Sequence, residues 1–323
     1  MARRITPTGV LVARYDTPRE EWLRLRRLGI GGSDALAVLG LDPWKTRMHV
    51  YLDKTGDERA EQEQTDRMRW GQLEEAPIAE WFTERTGIKV RRCGLMMHES
   101  RPWQRVSVDR LTSDGGVLEI KNTNYHRRGE WEDALGEIVA DGAEAQGQHA
   151  LAVTGMPHVW FAACVGGEPP VFRRIERHEA FIASLTEAEE EFWALVEART
   201  APALEGRASA DLISRMYPAA DSGKSVELSA GHVALLREYL KELRNESAAR
   251  VRKAEIKAQV TAVMGDAAFA TSDGEPAARW SNRSKTSVPK DGIAVLREKY
   301  PDVAAEVIRE SGYRQFDVTL KGA

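Results

Sequence analysis

The triplet Asp114-Gly115-Gly116 stands between two segments of alternating character, Arg105-Val-Ser-Val-Asp109 and Val117-Leu-Glu-Ile-Lys121. Alternation predicts strands, and a Gly-rich turn supplies the positive φ angles of a tight hairpin. Strand side chains point alternately to opposite faces. Val117, Glu119 and Lys121 therefore share one face, and Leu118 and Ile120 the other. The turn brings Asp109 back beside Glu119. Two carboxylates and one ammonium then meet at the edge of a sheet.

That combination has a chemical meaning. Hard divalent ions such as Mg²⁺ take oxygen ligands and keep several waters, which two carboxylates suit. A bound ion acidifies water and offsets charge on a phosphodiester. A lysine beside it orients the attacking water or stabilises the phosphate transition state. Asp, then Glu-x-Lys about ten residues later, is a sensible hydrolytic site for nucleic-acid phosphates, where that spacing is read from the sequence. The same pattern also occurs in exposed surface hairpins, so these residues by themselves leave both readings open.

The rest of the chain alternates helix and strand. Residues 18–40 read as two helices around Gly29-Ile-Gly-Gly-Ser33, 70–86 as a helix stopped by Gly87, and 143–154 as a helix ended by Gly155. Residues 156–161 and 170–175 read as strands, and 178–198 as a Glu-rich helix. Pro, Gly, Ser and Asp in 202–225 read as a linker. A long helix follows over 231–264, with Val233, Leu236, Leu240 and Leu243 at helical spacing. Short strand-like pieces and a helix at Asp291–Tyr300 complete the tail. This divides the chain into a catalytic domain over 1–200, a linker over 201–228, and a long helix with a small α+β unit over 229–323.

With 42% hydrophobic and 30% charged residues, the chain is neither wholly disordered nor collagen-like. No apolar run approaches the length of a membrane span, and the N-terminal arginines have no apolar stretch behind them, so neither a membrane anchor nor a signal peptide is expected. Two cysteines cannot build a disulfide framework, which makes a reducing, cytoplasmic setting the expectation. Seven histidines show no metal-ligand spacing, and His149 reads as structural. Net charge is −4, yet residues 85–128 carry ten Lys/Arg against four acids. Such a strip marks either a localised anion site or a solvated basic face.

Five segments occur in order over residues 20–198: Arg27-Leu-Gly-Ile-Gly-Gly-Ser33-Asp34 with Pro43-Trp44-Lys45-Thr46; Trp70-Gly71 to Glu75 and Ile78-Ala79-Glu80; Ser107-Val-Asp109 with Leu118-Glu-Ile-Lys121; Gln146-Gly-Gln148-His149; and Ile175 to Glu179 leading to Phe192-Trp193. Together they resemble the YqaJ-like viral recombinase type of PD-(D/E)XK nuclease, relatives of phage lambda exonuclease. The resemblance implies an α/β restriction-endonuclease-like core, a mixed sheet flanked by helices, with a mainly helical C-terminal extension. It implies Asp109 and Glu119 as metal ligands, joined by Glu75 and the Ile120 backbone carbonyl, with Lys121 as catalytic lysine and Gln146 as an active-site glutamine. Mg²⁺ is the implied cofactor, with Mn²⁺ as substitute. Two departures stand out. Ala76 intervenes before Pro77, where the family has proline directly after the glutamate. Arg110 replaces the glycine after Asp109, which points to a different turn or an added phosphate contact.

The resemblance also assigns Arg27 and Ser33 to a 5′-phosphate pocket. Gly31 and Gly32 let backbone approach an anion, and Ser33 opens a helix with free N–H groups. An ordinary Ser-capped helix looks the same in sequence, and Asp34 would repel an unshielded phosphate. Trp44 and Lys45 pair an aromatic with a cation, which could stack a base and hold its phosphate; a loop tryptophan packed on the domain is the alternative. The implied activity is a Mg²⁺-dependent 5′-to-3′ exonuclease on ends of linear double-stranded DNA, leaving 3′ tails for recombination. A single-strand annealing protein and a homo-oligomeric ring trimer are the implied partners. The rivals are an endonuclease or repair nuclease of the superfamily, and a non-catalytic DNA-binding protein, against which the intact Asp109, Glu119 and Lys121 set argues.

Overall fold

The structure is a computed structural model and describes residues 3–56, 65–131, 139–284, 287, 291–309 and 315–318. The chain divides into two compact units, Met1–Tyr217 and Pro218–Ala323. The first unit runs β1 (Gly9–Ala13), α1 (Arg19–Arg27), a 3-10 turn (Gly32–Asp34), α2 (Ala35–Val38), α3 (Arg47–Thr55) and α4 (Asp66–Thr86). Then come β2 (Val90–Arg91), β3 (Leu95–His98), β4 (Arg105–Ser107), β5 (Arg110–Thr112) and β6 (Val117–Thr123). A second 3-10 turn (Tyr125–Glu130), α5 (Asp141–Thr154), β7 (His158–Val165), β8 (Val171–Glu176), α6 (Glu179–Glu197) and α7 (Gly206–Met216) complete it.

Five strands form a mixed sheet in the order β2-β5-β6-β7-β8, with β6 and β7 parallel and the other neighbours antiparallel. An antiparallel sheet of three strands has the order β1-β3-β4. Helix α5 lies in the crossover from β6 to β7. Its Ala150, Leu151 and Val153 share a core with Val117, Val159 and Phe161 of the larger sheet and with Met96 and Val106 of the smaller one. Helix α4 covers the opposite face, where Ile78 and Phe82 pack on Leu118, Ala162 and Cys164. The class is therefore α/β, a mixed sheet flanked by helices. Both faces of β7 are covered, which is why its sequence is a nearly unbroken apolar run.

The hairpin forms as the alternation predicts, with Leu111 opposite Val117 and Arg110 opposite Leu118. Gly115 takes φ +87° in its turn, a conformation that costs glycine nothing. One expectation fails: Arg105–Asp109 is not a single strand. Arg105–Ser107 pairs with β3 in the small sheet, and pairing in the large sheet begins only at Arg110. The chain changes sheets at Val108-Asp109, with Val108 buried on the way. A period-2 pattern continues through such a crossing, so it carries no mark of the change.

The stretch 201–228, expected as linker, contains α7. Leu212 and Met216 of α7 are buried with Ile30, Met48, Phe192 and Val196, so this segment packs on the first unit. The four-residue spacing of those two side chains outweighs the Gly and Ser nearby. The second unit holds the 35-residue α8 (Ala230–Met264), the hairpin β9 (Phe269–Ser272) and β10 (Glu275–Arg279), α9 (Gly292–Lys299) and α10 (Pro301–Val307). Ser229 caps α8 by accepting from the His232 N–H. Among the described residues no helix is long and apolar enough to cross a membrane, and both Cys93 and Cys164 are buried thiols.

A buried ion pair ties α5 to α6. His149 Nδ1 lies 2.6 Å from Glu189 Oε1 and Nε2 2.9 Å from the Arg105 carbonyl, while Gln104 Nε2 donates to Glu189 Oε2 at 2.7 Å. Burial alone would strip the His149 proton, but the Glu189 charge and hydrogen bond and the Arg105 carbonyl outweigh it and raise its pKa. A raised histidine pKa gives stability that is complete below the unfolded value, about 6.5, and lost as pH rises through the folded value. Removing one partner of a buried pair costs about 3–5 kcal/mol. Glu189→Gln should therefore lower unfolding free energy by about that much near pH 6, and wild type should lose more stability than the variant between about pH 6 and 9. Urea unfolding at both pH values checks this; equal losses would mean His149 is neutral in the fold.

Candidate active site

Strand β6 sets the site, because its pairing with β7 and β5 fixes which side chains face α5. Glu119 is 1% exposed. Its Oε2 accepts from Gln146 Nε2 at 2.7 Å and lies 3.4 Å from Lys121 Nζ. Lys121 Nζ in turn donates to Gln146 Oε1 at 2.7 Å. The amide orientation follows from chemistry: turned over, its NH₂ would face an ammonium and its oxygen a carboxylate. Glu119, Lys121 and Gln146 thus close a ring of polar contacts. Asp109 meets Glu119 across the sheet edge, with its Oδ2 accepting from the Ile120 N–H at 2.6 Å.

Burial pushes the Glu119 carboxyl up to about 8; Lys121 works against this rise and Asp109 adds to it. Asp109 is also raised by burial, against the pull of Lys121. Glu75 on α4 is pushed up to about 7, first by burial and then by repulsion from Asp109. Of the adjacent pair, Glu75 is the one turned toward the hairpin: its Oε2 stands 3.7 Å from Arg110 Nη1. Glu74 lies instead on the side of Cys164, which feels its charge. Arg110 is turned to the protein. It is buried, and its Nη1 donates to the Asp109 carbonyl at 2.6 Å, so it braces the backbone of one acid and the carboxylate of another.

The donor set fits a hard cation. The buried Glu119 and the half-buried Asp109, both raised by burial, sit side by side, and Glu119 Oε1 is buried with no hydrogen-bond partner. Among the described residues no three His, Cys, Asp or Glu side chains converge as a metal cage. Glu75 is turned to Arg110, which leaves Asp109, Glu119 and neighbouring backbone as the nearest oxygen donors.

The Gly31–Ser33 loop abuts this centre. A Cβ on Gly32 would lie 2.9 Å from Gln146 Cγ, so only glycine allows this approach. Ser33 Oγ accepts from Arg26 Nη2 at 2.8 Å. Arg27 does not meet Ser33; its Nε is 3.6 Å from Asp53 Oδ1. Successive helix residues point about 100° apart, so Arg26 contacts Ser33 while Arg27 is turned to Asp53. Asp34 is fully buried, 2.8 Å from the buried Lys54 Nζ and paired with Lys45 as well. Burial would raise its pKa, but Lys54, Lys45 and Arg26 hold it well below the carboxylate range. Its charge is thus shielded within the protein. Lys45 is committed to Asp34, whereas Trp44 is 83% exposed and does not pack on the domain. The sequence pattern does not mark Arg26, Lys54 or the bracing role of Arg110; a buried lysine twenty residues from its acid, on a different helix, leaves no local pattern.

Residues 21–157 match the family described as the YqaJ-like viral recombinase domain. The chain is 33% identical over 319 residues to the uncharacterized protein YqaJ of Bacillus subtilis (strain 168), covering 96% of this chain and 97% of that one. Among solved structures, it is similar to an alkaline exonuclease, LHK-Exo, from Laribacter hongkongensis, at 23% identity and a TM-score of 0.47, over 56% of this chain and 94% of that one. LHK-Exo in complex with dAMP matches with the same figures, 23% and 0.47 over 56% and 94%.

The crowded acids make a stability test. Glu119→Gln keeps the shape and removes one buried charge, so in chelator-treated buffer near pH 8 its thermal midpoint should rise. Relief of about 1 kcal/mol corresponds to roughly 2–4 °C at this size. A lower midpoint would show that the Glu119 charge holds the fold together.

Proposed function

Because the chain belongs to the YqaJ-like viral recombinase family, we propose that it is a metal-dependent deoxyribonuclease. It digests one strand of linear duplex DNA from the 5′ end and leaves 3′ single-stranded tails for recombination. The observation that carries this reading is the Glu119–Gln146–Lys121 ring beside Asp109. Mg²⁺, or Mn²⁺ in its place, would be held by Asp109, Glu119 and the Ile120 carbonyl, with Glu75 nearby, and would supply Lewis acidity at the scissile phosphate.

The chain's own groups do the rest. Lys121 Nζ, held by the Gln146 carbonyl, presents N–H donors to the attacking water or to a phosphate oxygen as charge develops. The Gln146 amide fixes Lys121 and Glu119 at once. Arg110 fixes the backbone of Asp109 and neutralises part of the charge on Glu75. Beside this centre, Ser33 with Arg26 receives the 5′-phosphate, Arg27 joins by exchanging Asp53 for it, and the exposed Trp44 stacks on an unpaired base. Lys45 contributes through Asp34, whose charge it masks. The reading includes a ring trimer around the duplex and a single-strand annealing partner.

Linear duplexes labelled at the 5′ or the 3′ end, incubated beside a closed circle with Mg²⁺ or chelator, test the activity. Loss of the 5′ label first, an intact circle and silence in chelator are expected. Nicking of the circle would favour an endonuclease. Asp109→Asn should abolish digestion. Charge-assisted contacts are worth roughly 1.5–3 kcal/mol, so Arg26→Ala or Arg27→Ala should slow 5′-phosphorylated duplex about ten- to a hundredfold and leave 5′-hydroxyl duplex nearly unchanged. Equal slowing of both would make the pair a general backbone contact.

A further inference from the structure

Arg92 lines two cavities, and what surrounds each is informative. The larger, about 790 Å³, is walled by Arg3, Arg4, Arg14, Tyr15 and Arg91. Arg4 is paired with Glu99, and Arg14 with Asp16 at 3.0 Å. Among the described residues Arg3, Arg91 and Arg92 have no carboxylate at ion-pair distance. Three guanidinium groups with no ion-pair partner around one concave surface repel one another, and a polyanion relieves that repulsion. Tyr15 is 57% exposed, and the Arg92 guanidinium stands 5.8 Å from its ring centre. An exposed ring beside cations is the arrangement that stacks an unpaired base while its backbone is held.

The smaller cavity, about 530 Å³, runs from Arg92 to Arg110, with Glu80 and Glu84 of α4 opposite. Those acids confine a polyanion to the arginine side. Arg110 is the residue that holds the Asp109 carbonyl at 2.6 Å. A cationic path therefore leads from Arg3 and Arg91, through Arg92, to the acids of the active site. We propose that this arginine groove binds a single DNA strand, phosphates on Arg3, Arg91 and Arg92 and one base on Tyr15, and guides it past Arg110. The assignment of DNA as the polyanion rests on the nuclease reading; the groove and its charge do not.

The test uses the full chain without metal, so that binding is read apart from cleavage. Arg3, Arg91 and Tyr15 are all exposed, and their variants should unfold at the wild-type temperature. Binding of a fluorescent single-stranded oligonucleotide and of a duplex is followed by anisotropy across a salt series. Each phosphate contact on a single strand contributes about 0.7 to the slope of log K against log salt, so the double variant Arg3→Gln/Arg91→Gln should lower the slope by about 1.4. Tyr15→Ala should weaken single-strand binding roughly five- to a hundredfold at fixed salt, with little change for duplex. An unchanged slope would overturn the groove, and so would equal losses for single strand and duplex, or displacement of the oligonucleotide by polyglutamate as readily as by DNA. Digestion by wild type in Mg²⁺ separates the two readings. Active enzyme with unaltered variant binding sinks the groove alone; inactive enzyme whose variants lose single-strand binding sinks the nuclease reading and leaves the groove.

Discussion

One side-chain amide holds the candidate active site together. Gln146 accepts from the Lys121 ammonium and donates to the Glu119 carboxylate, each at 2.7 Å. Without it, a lysine and a glutamate two residues apart on β6 would share a face but have no fixed mutual orientation. The amide can do this because α5 is pinned on both sides. Its apolar residues fill the core between the two sheets, and its His149 is locked by Glu189 and the Arg105 carbonyl. A break anywhere in that support moves Gln146, and Gln146 moves both partners.

The site is also where the fold is least content. Buried Glu119 and half-buried Asp109 are crowded together, and Glu119 keeps one oxygen without a partner. Such an arrangement is unfavourable for an isolated chain. The surrounding structure resists its collapse: Arg110 anchors the Asp109 carbonyl, and α4 and α5 clamp the two faces of β6. Perturbed acids at one converging point make this the candidate functional site, since selection for packing alone would remove them. The Asp34 cluster makes a useful contrast. That acid is equally buried, yet two lysines meet it, and its charge is satisfied within the protein.

How much was legible in the sequence depends on whether the determining contact is local. The 117–121 face assignment needs only the two-residue period of a strand, and the hairpin only its glycine turn, so both could be read directly. The Gln146 contact spans 25 residues to Lys121, and only the resemblance to a family pointed there. Where the chain leaves one sheet for the other at Val108-Asp109, alternation continues unbroken and hides the change. Helix α7 was masked by the Gly and Ser around Leu212 and Met216. Arg26 and Arg27 are indistinguishable by composition, and helix phase decides which one meets Ser33. Lys54 finds Asp34 through tertiary packing alone.

The central claim is that Lys121 acts on the reacting phosphate and is not a mere anchor for DNA. Single-turnover cleavage and metal-free DNA affinity, measured side by side for wild type and Lys121→Ala, test it most directly. Loss of a donor aimed at developing charge lowers the chemical rate about a hundred- to a thousandfold while affinity changes by no more than about twofold. Equal losses in rate and affinity would contradict the account and make Lys121 a ground-state phosphate contact.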